Sequence, residues 1–351
     1  MLTALRFAAG LLGILAFTLQ SPVAAGPRPL GDVRVLAPIP SPGYPEGVIV
    51  RNARAYVATQ SHAGTAGLGP STVVAFKIRT GAIARTYTIA GEDLSRDHTL
   101  TNMAFDARHR LYVLSSQLGL VRINLRTGAQ DVYAPPIPDL PICSAVPPGT
   151  PCSPTASDAA PLANSLAFAA AGNAYVSDST EATIFRIPPG GTPQVWFQDT
   201  RLDGIVGVNG LRVSPDGSRL FLAVTFTAQA TGAIYSLPLV DTPQAADLAL
   251  FHQYALDGPD EIVFGRSGRL YVSLAVANAA SVLDPDGNES ARYPGPATNG
   301  VPIDSPSGVA LAGRSLLMNN HALFSGTVAN MVVFDMFVDD RAARQPRPRL
   351  P

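Results

Sequence analysis

One arrangement of apolar and polar positions recurs along the chain. A small or polar pair leads into an apolar run, a turn carrying Gly or Asp follows, and an aromatic-centred strand comes next. The instances are Pro45-Glu46-Gly47-Val48 before Ala55-Tyr56-Val57, Thr101-Asn102-Met103-Ala104 before Leu111-Tyr112-Val113, and Ala163-Asn164-Ser165-Leu166 before Ala174-Tyr175-Val176. Then come Val208-Asn209-Gly210-Leu211 before Leu220-Phe221-Leu222, Pro259-Asp260-Glu261-Ile262 before Leu270-Tyr271-Val272, and Pro306-Ser307-Gly308-Val309 before Leu316-Leu317-Met318. Short β-branched and aromatic runs bounded by turn residues read as strands. Most units continue into a third strand, such as Gly119-Leu120-Val121-Arg122-Ile123. A turn such as Arg126-Thr127-Gly128 or Pro285-Asp286-Gly287 then leads to a fourth.

Successive second positions of the phrase lie 45 to 62 residues apart, and a four-stranded propeller blade takes about 40–50 residues. The widest gap holds a Pro-rich stretch, residues 134–161, which reads as an insertion. No amphipathic helix of useful length interrupts the pattern. The expected fold is therefore all-β: a six-bladed β-propeller of four-stranded antiparallel blades over residues 26–340. A seven-bladed ring is the alternative, and it lacks a seventh phrase. The early run Val33-Arg34-Val35-Leu36 is expected to complete the last blade beside Met331–Phe337 and so close the ring. Residues 341–351, rich in Arg and Pro, are expected to form a disordered tail.

Composition narrows the function. Of 351 residues, 46% are hydrophobic and 15% charged, which excludes disorder for the body of the chain. A net charge of -1 provides no global positive field for nucleic acid. The basic residues are 24 Arg and Lys77 alone, and Lys77 lies in a strand-like run, so a Schiff-base lysine has a single candidate. Residues 1–25 read as a secretory signal: Arg6 is the only charge, an apolar run spans Phe7 to Leu19, and Val23-Ala24-Ala25 suits cleavage before Gly26. That run is too short to span a bilayer, for which about 20 residues are needed. The expected location is secreted or periplasmic, without stable membrane insertion, and the mature chain is expected to be a monomer. In an oxidising compartment Cys143 and Cys152, which flank part of the Pro-rich stretch, make sense as a disulfide.

The innermost strand of every propeller blade starts at one face, so the residue at each strand's entry points to one rim of the central channel. Six residues far apart in sequence become one ring: Glu46, Asn102, Asn164, Asn209, Asp260 and Ser307. All six offer oxygen. Calcium takes 6–8 oxygen ligands from carboxylates, amide carbonyls and water, whereas zinc prefers His or Cys. Two carboxylates balance the charge of Ca²⁺ (or another divalent metal), and neutral amides fill its coordination. Loops on the same rim carry His62, Asp178, Thr225, Asn278 and Asn319-Asn320-His321. His321, at the channel mouth after two amides, is a candidate proton acceptor. His62, in a glycine-rich loop, is expected to be a solvated surface residue. The calcium-loop-like Asp284-Pro285-Asp286-Gly287-Asn288-Glu289 lacks a glutamate at the twelfth position and reads as a hairpin turn. No nucleophile elbow or phosphate-binding loop is present in the sequence.

Over roughly residues 31–340 these phrases, the Glu-Asn-Asn-Asp ring and Ser315-Leu316-Leu317-Met318-Asn319-Asn320-His321-Ala322 resemble the senescence marker protein, gluconolactonase and luciferin-regenerating enzyme family. The ring also resembles that of diisopropyl-fluorophosphatase. The resemblance implies a metal site of Glu46, Asn164, Asn209 and Asp260. It puts Ser307 near a water outside the ligand set, and His321 approximately on a mouth histidine. Asn102 stands where the family varies and is expected beside the site or among its ligands; Asn320 is grouped with it as a residue near the site or the substrate. The implied activity is hydrolysis of a small-molecule lactone or ester, with Asp260 or His321 moving the proton. Two other classes stay open: a secreted binding module with a structural calcium, and a metal-free lyase like strictosidine-synthase relatives. The acids and amides of the ring argue against the lyase.

Overall fold

The computed structural model describes residues 28–294 and 300–351; the segment read as an export signal lies outside the described residues. An opening strand, β1 (Val33–Pro38), precedes the first blade, which is β2 (Val48–Arg51), β3 (Arg54–Ala58), β4 (Thr72–Lys77) and β5 (Ile83–Thr88). The second blade is β6 (Leu100–Phe105), β7 (Leu111–Ser115), β8 (Gly119–Ile123) and β9 (Gln130–Ala134). The third is β10 (Ala163–Phe168), β11 (Ala174–Asp178), β12 (Thr183–Ile187) and β13 (Gln194–Gln198). The fourth is β14 (Val208–Val213), β15 (Arg219–Val224), β16 (Ala233–Pro238) and β17 (Ala249–Gln253). The fifth is β18 (Pro259–Phe264), β19 (Leu270–Leu274), β20 (Ala279–Leu283) and β21 (Glu289–Tyr293). The sixth runs β22 (Pro306–Ala312), β23 (Ser315–Asn320) and β24 (Val332–Phe337), and β1 is its fourth strand. These are six antiparallel four-stranded sheets, a six-bladed propeller with almost no helix.

Burial grades outward along each blade, and the sequence shows why. The inner strand β18 is buried at every position, whereas the outer strand β17 is exposed or half-buried throughout. Inner strands touch neighbours on both faces, so they read as continuous apolar or small runs; outer strands face water and carry charge. Six separate clusters of buried side chains fill the six gaps between adjacent blades. The aromatic of the repeated phrase has a packing cause. Tyr56 meets Phe105 of the next blade edge-on at 5.3 Å, Tyr112 meets Phe168 at 5.2 Å, and Phe221 meets Phe264 at 4.9 Å. Such pairs contribute about 0.5–1.5 kcal/mol beyond the area they bury.

Ring closure follows the expected pairing: Val33 faces Met336 and Arg34 faces Asp335 across the β1–β24 ladder. Arg28 adds an ion pair to Asp335 at 2.8 Å. The Pro-rich connection between β9 and β10 carries the Cys143–Cys152 disulfide, with Cα atoms 4.8 Å apart. The calcium-like segment is a hairpin turn between β20 and β21, closed by Asp284 N–H to Asn288 C=O at 2.9 Å and Asn288 N–H to Asp284 Oδ1 at 2.8 Å.

The C-terminal segment corrects the expectation of disorder. Ala343 N–H donates to Phe264 C=O at 2.9 Å, and Ala107 N–H donates to Pro348 C=O at 2.9 Å. Leu350 is buried in the core between the second and third blades. Composition hid this: one leucine and a few main-chain bonds, not a periodic pattern, fix the segment.

Candidate metal centre

The inner strands are not regular at their entry. Pairing slips between Leu100 and Met103, Ala163 and Leu166, Val208 and Leu211, Pro259 and Ile262, and Pro306 and Val309. A bulge of this kind breaks the ladder and re-aims side chains. Here it falls on the ring position of five blades. The ring residues thus occupy the second or third place within their strands, except Glu46, which precedes β2. Glycines beside the bulges let adjacent inner strands touch. A Cβ on Gly210 would lie 2.3 Å from Asp260 C=O, and one on Gly308 would lie 2.2 Å from Glu46 C=O.

Glu46, Asn102, Asn164, Asn209, Asp260 and Ser307 are all buried at this end of the channel. They divide into two layers by what they bind. In the upper layer, the Oδ1 atoms of Asn209 and Asp260 are buried without a hydrogen-bond partner. Asn209 Nδ2 donates to Thr225 Oγ1 at 3.0 Å, which turns its oxygen away from the rim loop. Burial pushes the Asp260 carboxyl well above the usual carboxylate range, and the nearby Glu46 and Glu261 charges add to that shift. Glu46 Oε2 sits 2.9 Å from His321 Nδ1. The other imidazole nitrogen, Nε2, lies 2.8 Å from Ser61 C=O and must donate to it, since a carbonyl only accepts.

A lower layer closes the channel beneath. Glu261, the residue after Asp260, accepts from Asn102 Nδ2 at 2.5 Å, from the Ser165 hydroxyl, and from Arg212 Nη2 at 3.3 Å. Burial raises its carboxyl, and the Arg212 charge pulls against that rise. Asn102 Oδ1 accepts from Met103 N–H at 2.5 Å. Both ends of its amide are therefore spent, and Asn102 belongs to this floor. Ser307 Oγ donates to Pro45 C=O at 2.9 Å and positions the Glu46 main chain.

Three assignments differ from the sequence reading. Glu261 was not expected; the signal lay in the third position of the phrase, otherwise Gly, Ser or Met. Asn320 turns away from the channel, accepting from Asp304 N–H at 2.7 Å and donating to Asn330 C=O at 2.7 Å. Its neighbour Asn319 faces the ring instead: Nδ2 donates to Glu46 C=O at 2.6 Å, and Oδ1 is buried without a partner. Alternation of side chains along β23 explains the exchange. His62 is half-buried and stacks on Tyr44 with ring centroids 3.9 Å apart, and Tyr44 meets His321 at 6.1 Å, so His62 belongs to the channel mouth.

Among the described residues no three His, Cys, Asp or Glu side chains gather as a metal cluster, so a cation here must draw on the amides. The donor set fits a hard cation. Two buried carboxylates approach each other, and the partnerless atoms in the upper layer, on Asn209, Asp260 and Asn319, are all acceptors.

A second carboxyl pair lies under the disulfide-bearing loop. Glu181 Oε1 accepts from Leu140 N–H at 2.8 Å, and Asp178 Oδ1 accepts from Leu162 N–H at 2.9 Å. Burial pushes Glu181 up to about 8 from an ordinary 4.5, and burial likewise raises Asp178. The folded state keeps the Glu181 proton up to about pH 8, while the unfolded chain releases it near 4.5. This contribution to stability is full below pH 4.5 and is lost as pH rises through about 8. Glu181→Gln should flatten that decline by up to about 1.4 kcal/mol per pH unit. Urea unfolding of both proteins between pH 5 and 9 checks it; parallel profiles would contradict the assignment.

No protein-family model matches the chain, and no curated protein does. Solved structures do. A calcium-binding protein, regucalcin, from Agrobacterium tumefaciens is 18% identical, with 91% of this chain and 98% of that chain covered and a TM-score of 0.65. A gluconolactonase from Xanthomonas campestris is 16% identical, covering 88% and 90%, with a TM-score of 0.59. A virginiamycin B lyase from Staphylococcus aureus is 12% identical, covering 87% and 99%, with a TM-score of 0.56. The first two belong with the family that the ring residues resemble. At such identities the likeness establishes the shared propeller; chemistry has to be argued from the site.

Proposed function

We propose that this chain is an extracytoplasmic, calcium-dependent hydrolase of lactones or related small esters. The observation that carries the reading is the upper layer of the channel, where acceptor oxygens of Asn209 and Asp260 are buried without donors beside the Glu46 carboxylate. Unpaired buried acceptors are costly, and a bound divalent cation offsets that cost. The calcium-binding regucalcin and the gluconolactonase among the structural neighbours support the same reading. The disulfide fits an oxidising compartment, and among the described residues no helix is long and apolar enough to cross a membrane.

Glu46, Asn164, Asn209 and Asp260 would hold the ion. When bound, calcium supplies a fixed positive charge that polarises the substrate carbonyl and stabilises negative charge developing on its oxygen. Asp260 accepts a proton from the attacking water on the carboxylate oxygen not committed to the ion, and returns it to the alkoxide oxygen as the ester bond breaks. A lactone so opened leaves as a hydroxy acid. His321 acts through Glu46: with one nitrogen on Ser61 C=O and the other on Glu46, it has no free lone pair for water and serves as a positioning residue. The rim loops expose Ile205, Phe324 and Val328, which favours substrates with an apolar substituent.

Metal analysis of purified protein, followed by a lactone and aryl-ester panel with and without chelator, tests the proposal. One equivalent of calcium and chelator-sensitive hydrolysis are expected. Calcium without turnover would point to a binding module, and absence of both would reject the reading.

A further inference from the structure

The face opposite the candidate metal centre holds a second chamber. Its lid is the C-terminal segment, anchored on the fifth blade by Ala343 N–H to Phe264 C=O at 2.9 Å. The other end is anchored on the second blade, where Arg110 and Arg122 donate to Pro351 C=O at 2.6 and 2.7 Å. Between these anchors residues 344–347 cross the channel mouth over a cavity of about 640 Å³. Val50, Phe105, Phe168 and Leu311 are among its apolar walls. The floor network of Glu261, Asn102 and Arg212 separates it from the upper layer.

Donors without acceptors lie on the lid and behind the Phe105 wall of this chamber. Arg51 is 7% exposed, and its Nε and Nη1 are buried with no hydrogen-bond partner. Its guanidinium lies 5.2 Å from the centre of the Phe105 ring, and that of Arg347 lies 6.0 Å from the same ring. Two like charges thus share one aromatic wall. Gln345 Nε2, on the lid, is also buried without a partner. The carboxylates in reach are committed: Asp106 to Arg110 at 2.7 Å, and Asp216 to Ser214 Oγ at 2.5 Å and Ser218 N–H at 3.0 Å. Arg212 faces Glu261 and Ile262 C=O. A buried, unpaired guanidinium is among the costliest groups a protein can hold. The upper layer of the channel is short of donors, and this chamber is short of acceptors.

We propose that the lower chamber is a binding site for an amphipathic organic carboxylate, its anionic head held by Arg347 and Gln345 on the lid, with the Arg51 charge behind the Phe105 wall adding to the attraction, and its apolar body lying against the Phe105 and Phe168 walls. A carboxylate matches the fork of a guanidinium, and the volume is that of an ordinary small-molecule pocket. The site is independent of the proposed hydrolase chemistry.

Isothermal titration of the full chain with octanoate tests it, with octan-1-ol as the uncharged control. One octanoate per chain is expected, with the alcohol about tenfold weaker or worse and octanoate affinity unchanged by chelator. Arg347→Gln, on the exposed lid, should weaken octanoate binding about tenfold or more. Arg51→Gln, which removes the buried charge behind the Phe105 wall, is the second variant and should weaken it several-fold. No heat with octanoate, equal affinity for the alcohol, binding abolished by chelator, or unchanged affinity in the two variants would each overturn the site.

Discussion

Glu46→Gln should lower calcium affinity by roughly 10²–10³-fold, because removing one charged partner from a buried ionic site costs on the order of 3–5 kcal/mol. The substitution keeps the size of the side chain and its contact with His321. It removes one of the two carboxylates in the upper layer, leaving Asp260 as the sole anion facing a doubly charged ion. His321→Ala should cost about tenfold, since it frees the Glu46 carboxylate to move without removing its charge. Calorimetry on chelator-stripped protein gives both numbers. Equal calcium affinity in wild type and Glu46→Gln would mean that the ring is not the site.

Asp260→Asn should remove turnover, with a loss of about 10²–10⁴ in kcat even when excess calcium restores occupancy. The amide fits the same space and still offers an oxygen, but it cannot take a proton. His321→Ala should cost kcat far less, because both ring nitrogens are already engaged by Ser61 and Glu46. A stability readout accompanies the kinetics. Asp260 is buried beside Glu46 and Glu261, so metal-free Asp260→Asn should unfold at a higher urea concentration than metal-free wild type. That is the usual signature of a site which trades stability for activity. Near-normal kcat in the metal-loaded variant would transfer the proton step to another group.

The architecture was legible because the six phrases mark six inner strands, and in three of them the aromatic that follows packs against the next blade. The ring was legible for the same reason: a position fixed in the repeat is fixed about the axis. Reading failed where one-residue precision was needed. The entry bulges turn two consecutive residues toward the channel, so Glu261 came with Asp260 and was hidden behind it. At β23 the choice between Asn319 and Asn320 depends on strand phase, which a pair of identical residues does not reveal. The tail was misread because its attachment is made by main-chain carbonyls and one buried leucine, neither of which composition can display.

The pairing of β1 with β24 joins strands from opposite ends of the chain, Val33 with Met336. It also orders events in time. Within a blade, neighbouring strands can meet through short hairpins on a scale of microseconds. The sixth blade has no such route to completion, because its outermost strand is the first described one and must wait for a partner about three hundred residues away. Closing so long a loop is entropically demanding before any contact rewards it, and contacts of this separation slow folding. Until then the half-built ring exposes the edge of β24, a surface on which another chain could pair. A chain cut before residue 39 should therefore reach five finished blades and then associate, exchanging through that open edge what the intact protein supplies from its own beginning.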